Sequence, residues 1–313
     1  MFLYPPLSYL FSVLYSLVDG IPLGKSVGIK MYGVPGKKLQ PGHEDLEEMD
    51  MLFNNAAGFF CPDMVCFTAL VTTLARHPLP PIPTGNNAEE FGQIMENAIG
   101  PILMEWGDQD PKFKEALGRL TEENNASTHS GHLGAFKFWA QAPFAYGEGK
   151  AAKFALYPAD EAAHGIDKYP LEEGDFYLKN FRKSIVENQT PLQYTLYVQF
   201  QEDPCTEPIE DGSANWQTKE HHIGTFTFSD VVTDDEDRTC QNIGFQPYLV
   251  TEHFRPLGGL NRGRLDAYTR VIKMRQGFNL YRSMPKEALP ETNAQKGKAW
   301  HRSCSAPVFN AYV

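Results

Sequence analysis

Apolar and polar positions change rhythm several times along the chain. Residues 24–32, GKSVGIKMY, alternate weakly and predict a strand, and residues 49–53 predict a second. The stretch 33–42 between them is rich in glycine and proline and reads as turn. Asn54-Asn55-Ala56-Ala57-Gly58 then breaks the second strand and leads into Phe59-Phe60. Residues 63–76 have the spacing of a short helix, and PLPPIP at 78–83 forms a rigid, non-helical connection. Residues 89–99 and 112–123 predict helices, the latter started by Asp108 or Asp110. The aromatics of 136–158 alternate in part, which suits strands of a closed or strongly twisted sheet. Residues 173–186 predict a helix with Phe176, Leu178, Phe181 and Ile185 near one side. QYTLYVQFQ at 193–201 is a strong strand pattern, 205–216 is loop, and 223–228 is a further strand.

The chemistry concentrates in residues 253–278. Pro256 and Gly258-Gly259 make a turn, and a basic helix is predicted over 260–276. Leu265, Tyr268 and Ile272 fall on one face of a 3.6-residue period. Arg264 lies four residues before Tyr268, within reach of it on that face. An arginine beside a phenol favours the phenolate, and a phenolate is a hard anionic oxygen that can ligate ferric iron. The bland alternative is a core tyrosine whose hydroxyl is satisfied by a neighbouring arginine.

Over a longer span the chain resembles the catalase family, and within it the short catalase-like, peroxidase-type proteins. Arg264-x-x-x-Tyr268 is similar to the family's haem-binding helix, in which the tyrosine is the proximal iron ligand. NIGFQP at 242–247 resembles the strand end before that helix, and RPLGGLNR from Arg255 resembles the linker of the short members. GKSVGIKMY resembles the strand written R-G-x-A-x-K, and DMLFNNAAGFFCPD at 50–63 resembles the distal block. KFALYP at 153–158 and residues 195–216 resemble later core strands, so the likeness covers about residues 20–280 in family order.

The resemblance implies an α+β fold with a catalase-like antiparallel β-barrel core and surrounding helices. It implies haem b as cofactor, with Tyr268 on the iron and Arg264 holding the phenolate. Asn54, or Asn55 if the register shifts by one, becomes the distal amide, with Phe59 and Phe60 packed on the haem face. The departures are as informative. Residues 1–23 contain no histidine and no arginine, so the family's distal histidine is absent and N-terminal barrel strands are expected to be missing. Lys25, Ser26 and Gly28 stand where the family has arginine, glycine and alanine, and Phe53 and Ala57 replace its glycine and proline. An amide can hydrogen-bond an oxygen species but cannot shuttle a proton. The implied function is use of peroxide to oxidise or rearrange a small molecule, without strong catalase activity. The alternative is a non-catalytic, degenerate catalase-fold protein or partner subunit.

Composition narrows the rest. With 313 residues, 42% hydrophobic and 21% charged, the chain can bury a sizeable core. Its organisation is expected to be a hydrophobic segment 1–19, a core 20–282 and a tail 283–313. The net charge of −11 argues against a nucleic-acid surface. Five cysteines, an odd number spread along the chain, read as reduced thiols, and Cys61 and Cys66 lack partners at zinc spacing. His129 and His132 read as part of a polar loop, and the acidic run 230–237 as a surface turn without the glycine of a calcium loop. Neither a nicotinamide Gly-x-Gly-x-x-Gly nor a serine-hydrolase elbow is present. Residues 1–19 are too short for a standard span and lack a signal peptide's basic start. An intracellular, cytoplasmic location is expected, with membrane-surface contact through that segment as a second option. An open sheet edge left by missing strands would be covered by residues 1–19 or by a second copy of the chain.

Overall fold

Alternation of apolar and polar residues builds an open antiparallel sheet against which the helices lie. The computed structural model describes residues 25–76, 131–164, 176–229 and 243–283, with isolated helical residues between 97 and 119. The strands are β1 (Ser26–Tyr32), β2 (Glu48–Asn54), β3 (Phe138–Trp139), β4 (Phe144–Ala145), β5 (Ala151–Pro158), β6 (Leu192–Phe200) and β7 (Glu220–Phe228). The helices are α1 (Met64–Arg76), α2 (Phe176–Arg182) and α3 (Gly258–Ser283). α2 runs on into a wider turn, Lys183–Glu187, in which Ile185 is buried. The sheet order is β1-β2-β3-β5-β6-β7 with β4 also on β5, and every pairing is antiparallel.

The expected barrel is therefore present as an open, curled half-barrel. Among the described strands β1 pairs only with β2, and β7 only with β6, so the described strands do not close into a barrel. β7 manages its edge with polar side chains: Glu220, His221 and His222 open it, and most of its residues are exposed or half-buried. A bulge between Leu196 and Tyr197 shifts the β6–β7 register and leaves Ile223 unpaired and exposed.

One face of the sheet carries the apolar core. Val27, Ile29, Met51, Phe53, Phe138, Phe154, Leu156, Tyr194 and Val198 are buried there, with Phe176, Phe181 and Ile185 packed against them. Each large apolar side chain so buried contributes roughly 1.5–3 kcal/mol. Phe53 is 1% exposed and fills this core. β5 is central and covered on both sides, with six successive buried residues from Ala151 to Leu156. Its second face is closed by the loop after β6, where Trp216 is buried and lies beneath the Lys153 ammonium at 5.1 Å.

Most predicted elements fall where the pattern put them; α3 is longer by several residues at its end. His132, read as part of a polar loop, is fully buried. Its Nδ1 accepts the Gly134 N–H at 2.8 Å and its ring stacks on His164 at 4.3 Å, so it caps a short 3-10 turn. Residues 1–24, the connection 78–83, the helix predicted over 89–99 apart from helical Asn97, His129, the acidic run 230–237 and the tail beyond Ser283 lie outside the described residues. No helix among the described residues is long and apolar enough to cross a membrane.

The start of α3 is fixed by glycine. Gly258 has φ of +82°, and a Cβ there would lie 2.5 Å from the Ile209 carbonyl oxygen. The next amide, Gly259 N–H, donates to Glu210 Oε2 at 2.8 Å, and Arg262 pairs with the same carboxylate at 3.0 Å. A Gly258→Ala variant meets both the left-handed penalty and a backbone clash. We expect it to lose more than about 2 kcal/mol, read as a lower urea midpoint. An unchanged midpoint would show that the α3 start relaxes freely.

Candidate functional site

The face of the sheet opposite the core holds the candidate residues. Ser26, Gly28 and Lys30 of β1 pair with Asn54, Leu52 and Asp50 of β2, so these side chains share a face. Gly28 admits the Phe245 ring, which would lie 3.0 Å from a Cβ placed there. Lys30 Nζ contacts Asp50 Oδ1 at 2.7 Å and Glu48 Oε2 at 3.3 Å, with the Phe245 ring below at 5.5 Å. The other Asp50 oxygen accepts Gln246 N–H at 2.7 Å. Burial pushes the Asp50 carboxyl up to about 6 even against the pull of Lys30.

Asn54 ends β2 and ties two segments together. Its Oδ1 accepts Ser26 Oγ–H at 2.5 Å, and its Nδ2 donates to Gln141 Oε1 at 2.8 Å. Gln141 in turn donates to the Gly58 carbonyl at 3.0 Å from a backbone with φ of +54°. Asn55 does a different job: its Oδ1 accepts Lys25 N–H at 2.7 Å and its own N–H donates to Lys25 O at 3.0 Å, extending the hairpin. The two adjacent asparagines are thus separated by the structure, Asn54 facing the Gly58–Phe60 loop and Asn55 holding β1.

Phe59 and Phe60 pack on each other at 4.4 Å between centroids and on Phe67 of α1 at 5.3 and 6.0 Å. Phe59 N–H donates to Gly212 O at 2.8 Å, and Gly212 lies against Leu260 of α3 with no space for a Cβ. Met64 at the start of α1 fills the space beside Gly263. The aromatic loop therefore packs on α1, and Gly212 joins it to the first turn of α3.

Tyr268 and Arg264 do touch, although through the ring face. The Arg264 Cζ stands 5.3 Å from the Tyr268 ring centroid, and its Nη1 donates to Asn261 Oδ1 at 3.0 Å. Both residues are half-buried. Asn261 is fully buried and donates to the carbonyls of Pro143 and Leu257, both at 2.8 Å, which anchors this turn of α3. Farther along, Thr269 Oγ1 accepts from Gln40 and Ile272 packs on Gly244. No hydrogen bond or ring contact joins Tyr268 to Asn54, Phe59 or Phe60; the two groups of residues stand on separate elements.

Arg275 is a residue that the sequence pattern did not single out. It lies seven residues after Tyr268, two turns on and nearly in line with it on the helix surface. It donates through Nη2 to Ile243 O, yet its Nε is buried without a hydrogen-bond partner among the described residues. Its only trace in the sequence was one more arginine at helical spacing. A cavity of about 520 Å³ lies beside α3, lined by Lys30, His43, Glu48, Gln246, Thr269 and Ile272 among others. Neither Tyr268 nor Arg264 lines it. A second, smaller cavity of about 50 Å³ lies between Trp139, Lys153 and Trp216. Burial lowers the Lys153 ammonium to about 8 there, and its Nζ donates to Ala214 O at 2.7 Å. Among the described residues no group of histidine, cysteine and acidic side chains gathers as a metal site.

No family model matches the chain, and no curated protein matches it. Solved structures do. A fungal catalase aligns with TM-score 0.57 and 15% identity over 83% of this chain. The fold is that of catalases. Catalase A from Saccharomyces cerevisiae aligns at TM-score 0.55 and 13% identity, and a bacterial catalase at 0.53 and 12%, over 82% and 81% of this chain. The chain spans about half the length of these catalases, covering 49%, 50% and 46% of them. Identity this low carries the catalase-like fold and leaves the site chemistry to this chain's own residues.

Proposed function

We propose that this catalase-fold chain binds haem b along α3 at Arg264, Tyr268 and Arg275 and uses peroxide to oxidise or rearrange a small molecule. The observation that carries the reading is the stripe Arg264, Tyr268 and Arg275, with the buried Nε of Arg275, unpartnered among the described residues, at its end. The donor set fits the group: a phenol oxygen for ferric iron, and a guanidinium N–H in need of an acceptor for a propionate carboxylate. Bound there, haem would supply a ferric iron that takes up peroxide and holds its oxidising power.

The chain's own residues would do the rest. Tyr268 would give up its hydroxyl proton and present an anionic oxygen. Arg264 lies over the ring, 5.3 Å from its centroid, and sets a positive charge against the π-face that holds the ring in place. Asn54 offers a neutral amide already held by Ser26 and Gln141, so it can orient an oxygen species but not take up and return a proton. Peroxide would therefore be used slowly, and fast dismutation is not expected. The cavity beside α3, with Lys30, His43, Gln246 and Thr269 on its walls, has room for a polar small molecule, on a different face of the helix from Arg264, Tyr268 and Arg275.

A titration with ferric haem tests this. Saturation at one haem per chain with a tyrosinate-type ferric spectrum is the expected result, followed by slow, substrate-dependent peroxide consumption. A free-haem spectrum through equimolar addition would sink the reading. The fixed amide of Asn54 favours a second reading, a catalase-fold protein that binds haem or another partner without turnover; saturation with no peroxide consumption would select it. The edges of β1 and β7, which no other described strand covers, suit a second copy of the chain as that partner.

A further inference from the structure

Two thiols stand outside everything used above. Cys61 follows the Phe59–Phe60 pair, and Cys66 lies in the first turn of α1. The Cys66 thiol donates to the Cys61 sulfur, and the sulfurs are 3.2 Å apart. A disulfide has its sulfurs about 2 Å apart, so closing the bond takes roughly 1 Å of approach. Both residues are buried, Cys61 at 0% and Cys66 at 6% exposure. The approach is built by the backbone. Asp63 Oδ1 accepts Cys66 N–H at 2.8 Å and so sets where α1 begins. Gly212 N–H donates to Pro62 O at 2.7 Å, and Arg119 Nε donates to Phe60 O at 3.0 Å, which hold the segment on either side of Cys61.

We propose that Cys61 and Cys66 are a redox couple that closes to an intrachain disulfide when hydrogen peroxide oxidises it. The couple rests on the thiol geometry alone and does not require haem. Cys66 makes the first attack, because it is the less buried residue of the pair, 6% exposed against 0%, and stands in the first turn of α1. Its thiolate displaces hydroxide from the peroxide: the O–O bond breaks, an S–O bond forms, and the hydroxide leaves as water with the thiol's proton. The Cys61 sulfur then attacks the sulfenic acid at Cys66. The S–S bond forms, the S–O bond breaks, and a second water carries away the Cys61 proton. Two thiols have lost two hydrogens, and one peroxide has become two waters. Cys61 suits the resolving role: its hydrogen bond with Cys66, and then burial, hold its thiol well above the ordinary range. The closed bond would fasten the Phe59–Phe60 loop to α1.

The full-length chain treated with hydrogen peroxide, alkylated after denaturation, digested with trypsin and mapped by mass spectrometry tests the couple. Residues 62–65 contain no lysine or arginine, so both cysteines fall in one tryptic peptide. The expected result is that peptide two hydrogens lighter, unalkylated at both positions, and restored by dithiothreitol. The oxidised chain should melt about 4 °C above the reduced one. In Cys61→Ser, which lacks the resolving sulfur, Cys66 should run on to sulfinic acid under the same dose. The proposal is overturned if both cysteines stay alkylatable at a dose that oxidises the exposed Cys205. Cys66 linked to any cysteine other than Cys61 overturns it as well. The wild-type map decides even if the variant fails to fold.

Discussion

A Tyr268→Phe variant is expected to bind ferric haem more than about 100-fold more weakly than wild type and to lose the tyrosinate-type spectrum. The substitution removes one oxygen. That oxygen makes no hydrogen bond to a described residue, while the ring keeps its contact with Arg264 at 5.3 Å. Fold stability should therefore stay within about 0.5 kcal/mol of wild type, and the melting curve should not move. A tyrosine present only to fill space would show the same melting curve and the same haem titration as phenylalanine. Arg275→Met gives the second arm. Its buried Nε has no partner among the described residues, so the loss should appear chiefly in haem affinity, beyond the one bond to Ile243 O. If Tyr268→Phe and wild type titrate alike, the stripe on α3 is packing and the reading of a haem protein falls.

The strands were legible because side-chain alternation is a local property. β6 announces itself in QYTLYVQFQ, and burial follows, with Leu192, Tyr194, Leu196 and Val198 facing the core. α3 was legible from its period, and Arg264 reaching Tyr268 follows from a four-residue spacing. The direction of that contact was not, because whether a guanidinium meets the hydroxyl or the ring depends on Asn261, which draws it away. The choice between Asn54 and Asn55 was equally hidden. It depends on pairing across β1 and on Gln141, a residue 87 positions away. His132 misled because a histidine among polar neighbours looks solvated, whereas stacking on His164 and capping Gly134 bury it. Nothing local distinguishes Arg275 from the other cations of α3. Its interest comes from what surrounds its Nε, and that is a property of the fold.

The largest stability loss is expected from Asp50→Ala, about 3–5 kcal/mol at neutral pH. Asp50 is 2% exposed and Lys30 is 7% exposed, so removing the carboxylate strands an ammonium whose remaining anionic contact among the described residues is Glu48, at 3.3 Å. It also removes the acceptor for Gln246 N–H. The pair itself is a costly arrangement, since burial lifts the Asp50 carboxyl from 3.8 to about 6. The folded chain therefore holds a proton that the unfolded chain releases between those values. Stability from this group is full below about 3.8 and is lost as pH rises through about 6. The span is worth roughly 3 kcal/mol. Urea midpoints measured from pH 4 to 7 should carry this downward component in wild type and lack it in Asp50→Asn. The double variant Lys30→Met, Asp50→Leu should be less destabilised than Asp50→Ala, because no charge is left without its partner. Single and double losses that simply add would mean the two groups do not depend on each other, and that the sheet face under α3 is held by its apolar contacts alone.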